Sequence, residues 1–517
     1  MAITEISSYL VSSLSPARSI AIILLAPVVL AGLAIAYYGS VAIYNLWFHP
    51  LSKYPGPLLA RASPLWMALS YFYGRTPTDL QKLHNQYGPV VRTGPNELSF
   101  IQPTSWKEIY GYKTQEFSKD AKYYNGLPGE PIILNADRTY HGYIRKLLAH
   151  GFSEKSLREQ EPILKEYVDT LFRRLHEQGQ NGERALDIVS WYNFLIFDFI
   201  GFLTFGESFN CLNTGSLHTW VGTFFGMARF MSYHQMSSRL PYFLRRLFEI
   251  QMIPRKVMKD VVTVKALNAE KTNHRLKNEP LVPDFMDNLV HSYNAGKMSQ
   301  GQLEGNAQLL VIAGSETTAT LLSGLTFMLL KNPRVMKKLT HEIRSRFTHT
   351  DEITLSAVNG CKYLLACIEE ALRMYPPSPQ PHHRIIPPGG ASVNGEYLPA
   401  GTSVAVPIYA IANSELNFAL PDQFIPERWT TASSDKDVDA GLFVNDRREA
   451  SQPFSYGPRD CLGRNIAYAE MKLVMARMVW TFDVENATEG NWLDQRVYLV
   501  WEKAPLYVRL RPAVRGV

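Results

Sequence analysis

Cysteine is scarce in this chain: Cys211, Cys361, Cys367 and Cys461 are the only four in 517 residues. They are too few and too scattered to make a disulfide framework at this length. No pair is spaced Cys-x-x-Cys, so the usual signature of a structural zinc site is missing. A strong charge of one sign is also missing. The net charge is +6, and no basic stripe interleaved with aromatics occurs, so nucleic-acid binding is not expected. The 32 prolines and 33 glycines form no low-complexity tract, and no repeat of solenoid period appears. What remains, 46% hydrophobic and 19% charged residues, is the composition of an ordinary folded protein.

Charge is absent altogether between Ser19 and Phe48, and Ile20 to Tyr38 is a dense apolar run. At about 1.5 Å per helical residue that run spans roughly 28 Å, close to the hydrocarbon thickness of a bilayer. Tyr37, Tyr38 and Trp47 suit interfacial positions. Ala34-Ile35-Ala36 mimics a signal-peptidase site, but the run is long for a signal core and only Arg18 precedes it against Glu5. Residues 1–48 are therefore read as an N-terminal segment with an uncleaved membrane anchor, helical over about 20–38. Pro50, Pro55 and Pro57 then make residues 49–57 a stiff strap. Lys53, Arg61 and Arg75 outnumber the upstream charge and favour a cytosolic body, in which the sequon Asn486-Ala487-Thr488 stays unglycosylated.

Past the strap no second linker is visible, so residues 58–517 are read as one domain although length alone suggests two or three. Short strands are expected at Val90–Arg92 and Glu97–Phe100 around Gly94-Pro95. A hairpin is expected at Ala391–Val393 and Glu396–Leu398, joined by Asn394-Gly395, a preferred two-residue turn. The remainder is helix-rich, with apolar spacing of three and four over 155–175, 299–347 and 355–375. The stretch Leu309–Leu330 is apolar enough to suggest a second span. Glu316 in its middle argues against lipid, because a carboxylate at mid-bilayer is costly. A capping box at Ser299 and Gln302, and Asn332-Pro333 at the far end, bound a buried spine helix instead.

The most specific stretch is Phe454-Ser455-Tyr456-Gly457-Pro458-Arg459-Asp460-Cys461-Leu462-Gly463-Arg464. Two glycines around Cys461 suggest a tight loop brought close to a flat object. Arg459 and the start of the following apolar helix both favour thiolate over thiol. This string closely resembles the Phe-x-x-Gly-x-Arg-x-Cys-x-Gly signature of the cytochrome P-450 superfamily. The resemblance implies a mainly α fold with small β-sheets, haem b as cofactor, and Cys461 as the axial ligand of its iron.

Three further motifs follow the family's order. Glu370-Ala371-Leu372-Arg373 sets acid and base on one helix face, and Phe424–Trp429 brings Arg428 about fifty residues on. In the family the matching Glu370, Arg373 and Arg428 form a buried ionic network. Ala313-Gly314-Ser315-Glu316-Thr317-Thr318 looks like the oxygen-activation motif. Gly314 there leaves room for a small ligand, and Glu316 and Thr317 offer a proton relay. Arg145, Arg384 and Arg459 are the candidate partners of the haem propionates, with Phe454 beside the cofactor. The family's usual Trp four residues before Arg145 is His141 here. His382 and His383 resemble a metal pair, but neighbours on a strand point apart, so a pocket-lining or structural role is expected.

The resemblance implies a monooxygenase that inserts one atom of O2 into an apolar small molecule. No flavin or nicotinamide motif is present, so NADPH would act through a separate flavoprotein reductase. Its expected docking face carries Arg145, Lys146, Lys155, Arg158, Lys337, Lys338, Arg447, Arg448 and Arg464. The pocket is expected along Tyr123–Leu134, Trp220–Tyr242, Ser378–Arg384 and Leu499–Pro505. The strap resembles that of filamentous-fungal members that decorate secondary metabolites, anchored by one span in the endoplasmic reticulum membrane. Two alternatives share the fold: a peroxide-dependent isomerase or dehydratase, for which proton delivery would be superfluous, and a non-catalytic haem sensor.

Overall fold

A computed structural model describes residues 16–113, 115–124, 129–252, 255–280, 282–430 and 440–514. The helices that position the site are α1 (Pro16–Ile43), α2 (Arg138–Leu148), α3 (Glu154–Gly179), α4 (Ile188–Phe205), α5 (Thr219–Ser237), α6 (Gln300–Lys331), α7 (Pro333–Arg346), α8 (Lys362–Met374) and α9 (Arg464–Thr481). The strands are short: β1 (Val90–Gly94), β2 (Glu97–Phe100), β3 (Ser118–Lys119), β4 (Leu186–Asp187), β5 (Arg384–Ile385), β6 (Ala391–Val393), β7 (Glu396–Leu398), β8 (Ser403–Ala405), β9 (Phe482–Asn486), β10 (Val497–Tyr498), β11 (Val500–Trp501) and β12 (Tyr507–Pro512). The largest sheet runs β1-β2-β8-β5-β3, with β2 and β8 parallel and the other pairs antiparallel. The expected hairpin is β6–β7, and both turn residues, Asn394 and Gly395, have positive φ (50° and 78°).

The spine helix α6 is as its sequence dictates. Ser299 and Gln302 form the reciprocal capping box, and Pro333 opens α7 after Asn332. Along α6 packs α4, an apolar helix buried on nearly all sides. Its length and hydropathy would also suit a membrane span, as would those of α6, yet 89% and 67% of their apolar windows lie inside the protein. In α1 the described window from Leu25 on has none of its length buried, so α1 is the apolar helix left to meet lipid.

Two expected boundaries shift. The N-terminal helix runs to Ile43, longer than 20–38, and passes into a π-helical turn over Tyr44–Phe48. That turn belongs to the body: Asn45 is buried, its side chain donates to Ala62 O at 2.9 Å, and its carbonyl accepts from Arg92 Nη1 at 2.8 Å. The helix expected over 355–375 is also broken, into Leu355–Val358 and α8. Residues 1–15 of the expected N-terminal segment lie outside the described residues.

Candidate functional site

Cys461 sits in the loop before α9, its N–H donating to Phe454 O at 2.9 Å. Protein atoms surround it on nearly every side, yet its own atoms stay accessible. A side chain with both properties is recessed but accessible. Burial pushes its thiol up; the Gly463 N–H pulls it down, Asp460 raises it, and Arg464 and Arg145 lower it. The thiolate-favouring guanidinium groups are thus Arg464 and Arg145. Arg459, which the sequence suggested, is held by Glu116 and by Ala136 O at 2.9 Å. Gly457 serves protein packing: its φ is +81°, and a Cβ would collide with the carbonyl of Tyr110. The Phe454 ring lies 5.2 Å from that of Tyr468, with the Arg464 guanidinium 5.5 Å from its centroid.

Near this loop four basic side chains, Arg145, Arg384, Arg459 and Lys119, gather with two carboxylates, Glu116 and Asp460. Arg384 is buried against the rings of Tyr110 and Tyr124, and its Nη1 has no hydrogen-bond partner among the described residues. Lys119 lies directly opposite Arg384 on β3 and donates to Leu134 O. Burial, then Arg384 and Arg459, bring its ammonium down to about 6, with only Glu116 opposing. His141 is brought down to about 3 by burial and then by Arg459, Lys119, Arg145 and Arg384. Arg145 itself donates to Asp460 O at 2.7 Å. Buried like charges with an orphaned guanidinium N–H call for an anion, and a carboxylate-bearing ligand answers that need. A recessed, accessible thiol and nearby basic side chains suit a flat metal-centred group with acidic substituents. That is the donor set of a haem-thiolate protein.

On α6, Ala313 is exposed although it lies midway along a buried helix, and Thr317, one turn on, is half-buried. These two residues share an accessible face of α6, which Gly314 does not join. The Thr317 hydroxyl donates to Ala313 O at 2.8 Å. At Gly314 a Cβ would meet Ile200 of α4 at 3.2 Å, so its missing side chain admits a neighbouring helix rather than a small ligand. Glu316 is buried and paired with Lys503. Thr318 reaches Glu470 of α9, a carboxyl that burial pushes up to about 8 against that hydrogen bond.

Glu370, Arg373 and Arg428 meet as one fully buried network. Arg373 grips both carboxylate oxygens of Glu370 (2.9 and 2.8 Å), and Arg428 Nε donates to Oε1 at 3.0 Å. Trp429 Nε1 adds a bond at 2.8 Å, and Asp446 pairs with Arg428. Burial pushes Glu370 up, but the guanidinium groups of Arg373 and Arg428 leave it below the usual carboxylate range. Of His382 and His383, the second has both ring nitrogens beside protein hydroxyls. His383 is buried, 3.4 Å from Tyr71 Oη and 3.3 Å from Ser403 Oγ, and no metal-binding cluster occurs among the described residues. Of the expected pocket walls, residues 125–128 and the side chains of Trp220, Phe224 and Phe225 lie outside the description.

A sequence model described as cytochrome P450 matches residues 57–509. The chain is 42% identical over 485 residues to "Cytochrome P450 monooxygenase hepD" of Aspergillus oryzae, covering 92% of this chain and 93% of that one. It is 42% identical to "Cytochrome P450 monooxygenase astA" of Talaromyces wortmannii (93% and 96% covered). With an averantin hydroxylase of Dothistroma septosporum the identity is 40%, covering 92% and 89%. The chain belongs to the cytochrome P450 family and is a monooxygenase of it.

Four residues of this site were not singled out in the sequence: Lys119, Asp446, Glu470 and Lys503. For Lys119 there was a faint signal, a lysine in a short strand-like Phe117-Ser118-Lys119 ahead of the Asp137-capped helix α2. For the others no local pattern distinguishes them from surface charges.

Proposed function

We propose that this protein is a membrane-anchored monooxygenase that oxidises an apolar intermediate of fungal secondary metabolism. NADPH supplies electrons through a separate flavoprotein reductase, and α1 holds the chain in the endoplasmic reticulum membrane with its body in the cytosol. The names of the relatives support a small-molecule substrate. The family's haem, when bound, supplies dioxygen activation. Cys461 would ligate its iron, while Arg145, Arg384, Arg459 and Lys119 would hold its propionates. The recessed, accessible thiol near an anion-seeking cluster of basic side chains is the observation that carries this assignment. Glu370, Arg373 and Arg428 keep the fold beneath it rigid, and Asp446 extends that network.

On the other side, the Ala313–Thr317 face of α6 borders the substrate, and the Thr317 hydroxyl and Glu316 move protons there. Lys146, Lys155, Arg158, Lys337, Arg447 and Arg448 are exposed and available to an acidic reductase surface. Arg145 and Arg464 are instead shared with Asp460, and Lys338 lies 3.3 Å from Glu427. The test is NADPH- and reductase-dependent product formation across a panel of polyketide- and terpene-type metabolites, beside the carbon monoxide difference spectrum. Cys461→Ala should abolish the red-shifted thiolate band. A sensor would show the band without turnover, and a peroxide-dependent isomerase would turn over without NADPH.

A further inference from the structure

Lys503 lies in the exposed turn between β11 and β12, between Glu502 and Ala504, which face solvent. Its own side chain runs inward and is 1% exposed, as is that of Glu316 at the centre of α6. The ammonium donates to Glu316 Oε1 and, at 2.7 Å, to Thr320 Oγ1; Thr320 in turn donates to the same Oε1 at 3.1 Å. The second oxygen, Oε2, is buried and has no hydrogen-bond partner among the described residues. One oxygen is therefore saturated by two donors and the other is bare. The adjacent Glu502 pairs with Arg229 of α5, so the same turn ties α5 to α6 from both sides.

A buried carboxylate without a counter-charge takes up a proton and keeps it, which disqualifies it as a carrier. We propose that Lys503 is the positioning residue of the proton relay, holding Glu316 ionised and oriented so that Oε2 alone accepts and releases protons. This rests on the reading of Glu316 as a relay carboxylate. The part of Lys503 is charge and geometry. Arginine could supply both from the same backbone position, whereas methionine supplies only volume.

The test uses the full-length holoenzyme with its reductase and compares Lys503→Met, Lys503→Arg, Glu316→Gln and the Lys503→Met/Glu316→Gln double variant. Haem content and the carbon monoxide spectrum serve as folding controls, and the double variant removes both charges should Lys503→Met fold poorly. Infrared spectroscopy reads the carboxyl directly. Lys503→Met should add one carbonyl stretch of a buried protonated carboxyl to those of wild type, an addition not seen in Lys503→Arg or in the double variant. Without added substrate, peroxide released per NADPH oxidised, which electron balance caps at one, should rise toward that ceiling in Lys503→Met and return toward wild type in Lys503→Arg. The double variant should match Glu316→Gln. If Glu316→Gln raises peroxide while Lys503→Met shows neither the band nor the rise, Lys503 is not the positioning residue and the relay stands. If Glu316→Gln leaves the peroxide ratio at wild type, the relay reading itself falls, and this role with it.

Discussion

Lys119 and Arg384 are directly paired residues across the antiparallel strands β3 and β5, two basic side chains set face to face, Arg384 buried and Lys119 half-buried. Like charges opposite one another on a sheet are destabilising, and burial sharpens the cost. The pairing makes sense as a preformed anion site.

Lys119→Met should therefore act in opposite directions on the two forms of the protein. Haem-free protein should gain stability and holoprotein should lose haem faster, by about ten-fold, measured by transfer to a haem scavenger. The sign of the pH effect follows from the lowered lysine. Between about 6 and its ordinary value near 10.5 the folded haem-free protein binds fewer protons than the unfolded chain. Its stability should accordingly rise with pH across that window, and the rise should shrink in the variant. Equal haem loss in both proteins would remove Lys119 from the site.

Arg428→Met strands Asp446 and takes one of two guanidinium partners from Glu370. Breaking a buried ion network by removing one member costs about 3–5 kcal/mol. The expected result is poor haem incorporation and a large fall in thermal midpoint. A change within about 0.5 kcal/mol would show that the network is solvated in solution.

Glu470 works the other way. Its carboxyl, pushed up to about 8, holds a proton that the unfolded chain releases near 4.5. Stability is thus lost as pH rises from 4.5 to 8 and is flat above. Glu470→Gln should be more stable than wild type at pH 7, by about 1–3 kcal/mol, with the gain vanishing below pH 4.5. Unfolding curves at three pH values check it, and a pH-independent difference would mean that Glu470 is ionised.

Thr317→Ala removes one helix hydroxyl that bonds back to Ala313 and leaves the cysteine loop and the cations untouched. Haem content, the thiolate spectrum and stability, within about 1 kcal/mol, should survive. Peroxide per NADPH should rise and product should fall. Wild-type coupling would reduce Thr317 to a back-bonded helix residue.

Deletion of residues 1–43 and deletion of residues 1–48 should differ, although both remove the apolar helix. The longer deletion takes Asn45, whose carbonyl accepts from the fully buried Arg92. Leaving that donor unpaired costs about 1–3 kcal/mol. Both proteins should move toward the soluble or peripheral fraction, with only the longer deletion melting earlier. Identical melting would place the body's boundary at Phe48.

Much of this was legible in the chain itself, wherever a short segment carries its own physics. Ser299 and Gln302 cap α6, Asn394-Gly395 turns the β6–β7 hairpin, and Glu370 and Arg373 share a helix face, because each depends on neighbours three or four residues away. The Cys461 loop was legible for the same reason. Gly314 shows the limit: a glycine inside a helix announces a close approach, but only the packing of α4 shows that Ile200 makes it. The partners of the buried charges were decided by tertiary structure alone. Lys503 stands 187 residues from Glu316, and Lys119 meets Arg384 through a two-residue strand pair, so neither contact leaves a periodicity behind. A lone charge reads as solvated in any sequence; it becomes a counter-ion only when the fold removes water from both partners at once.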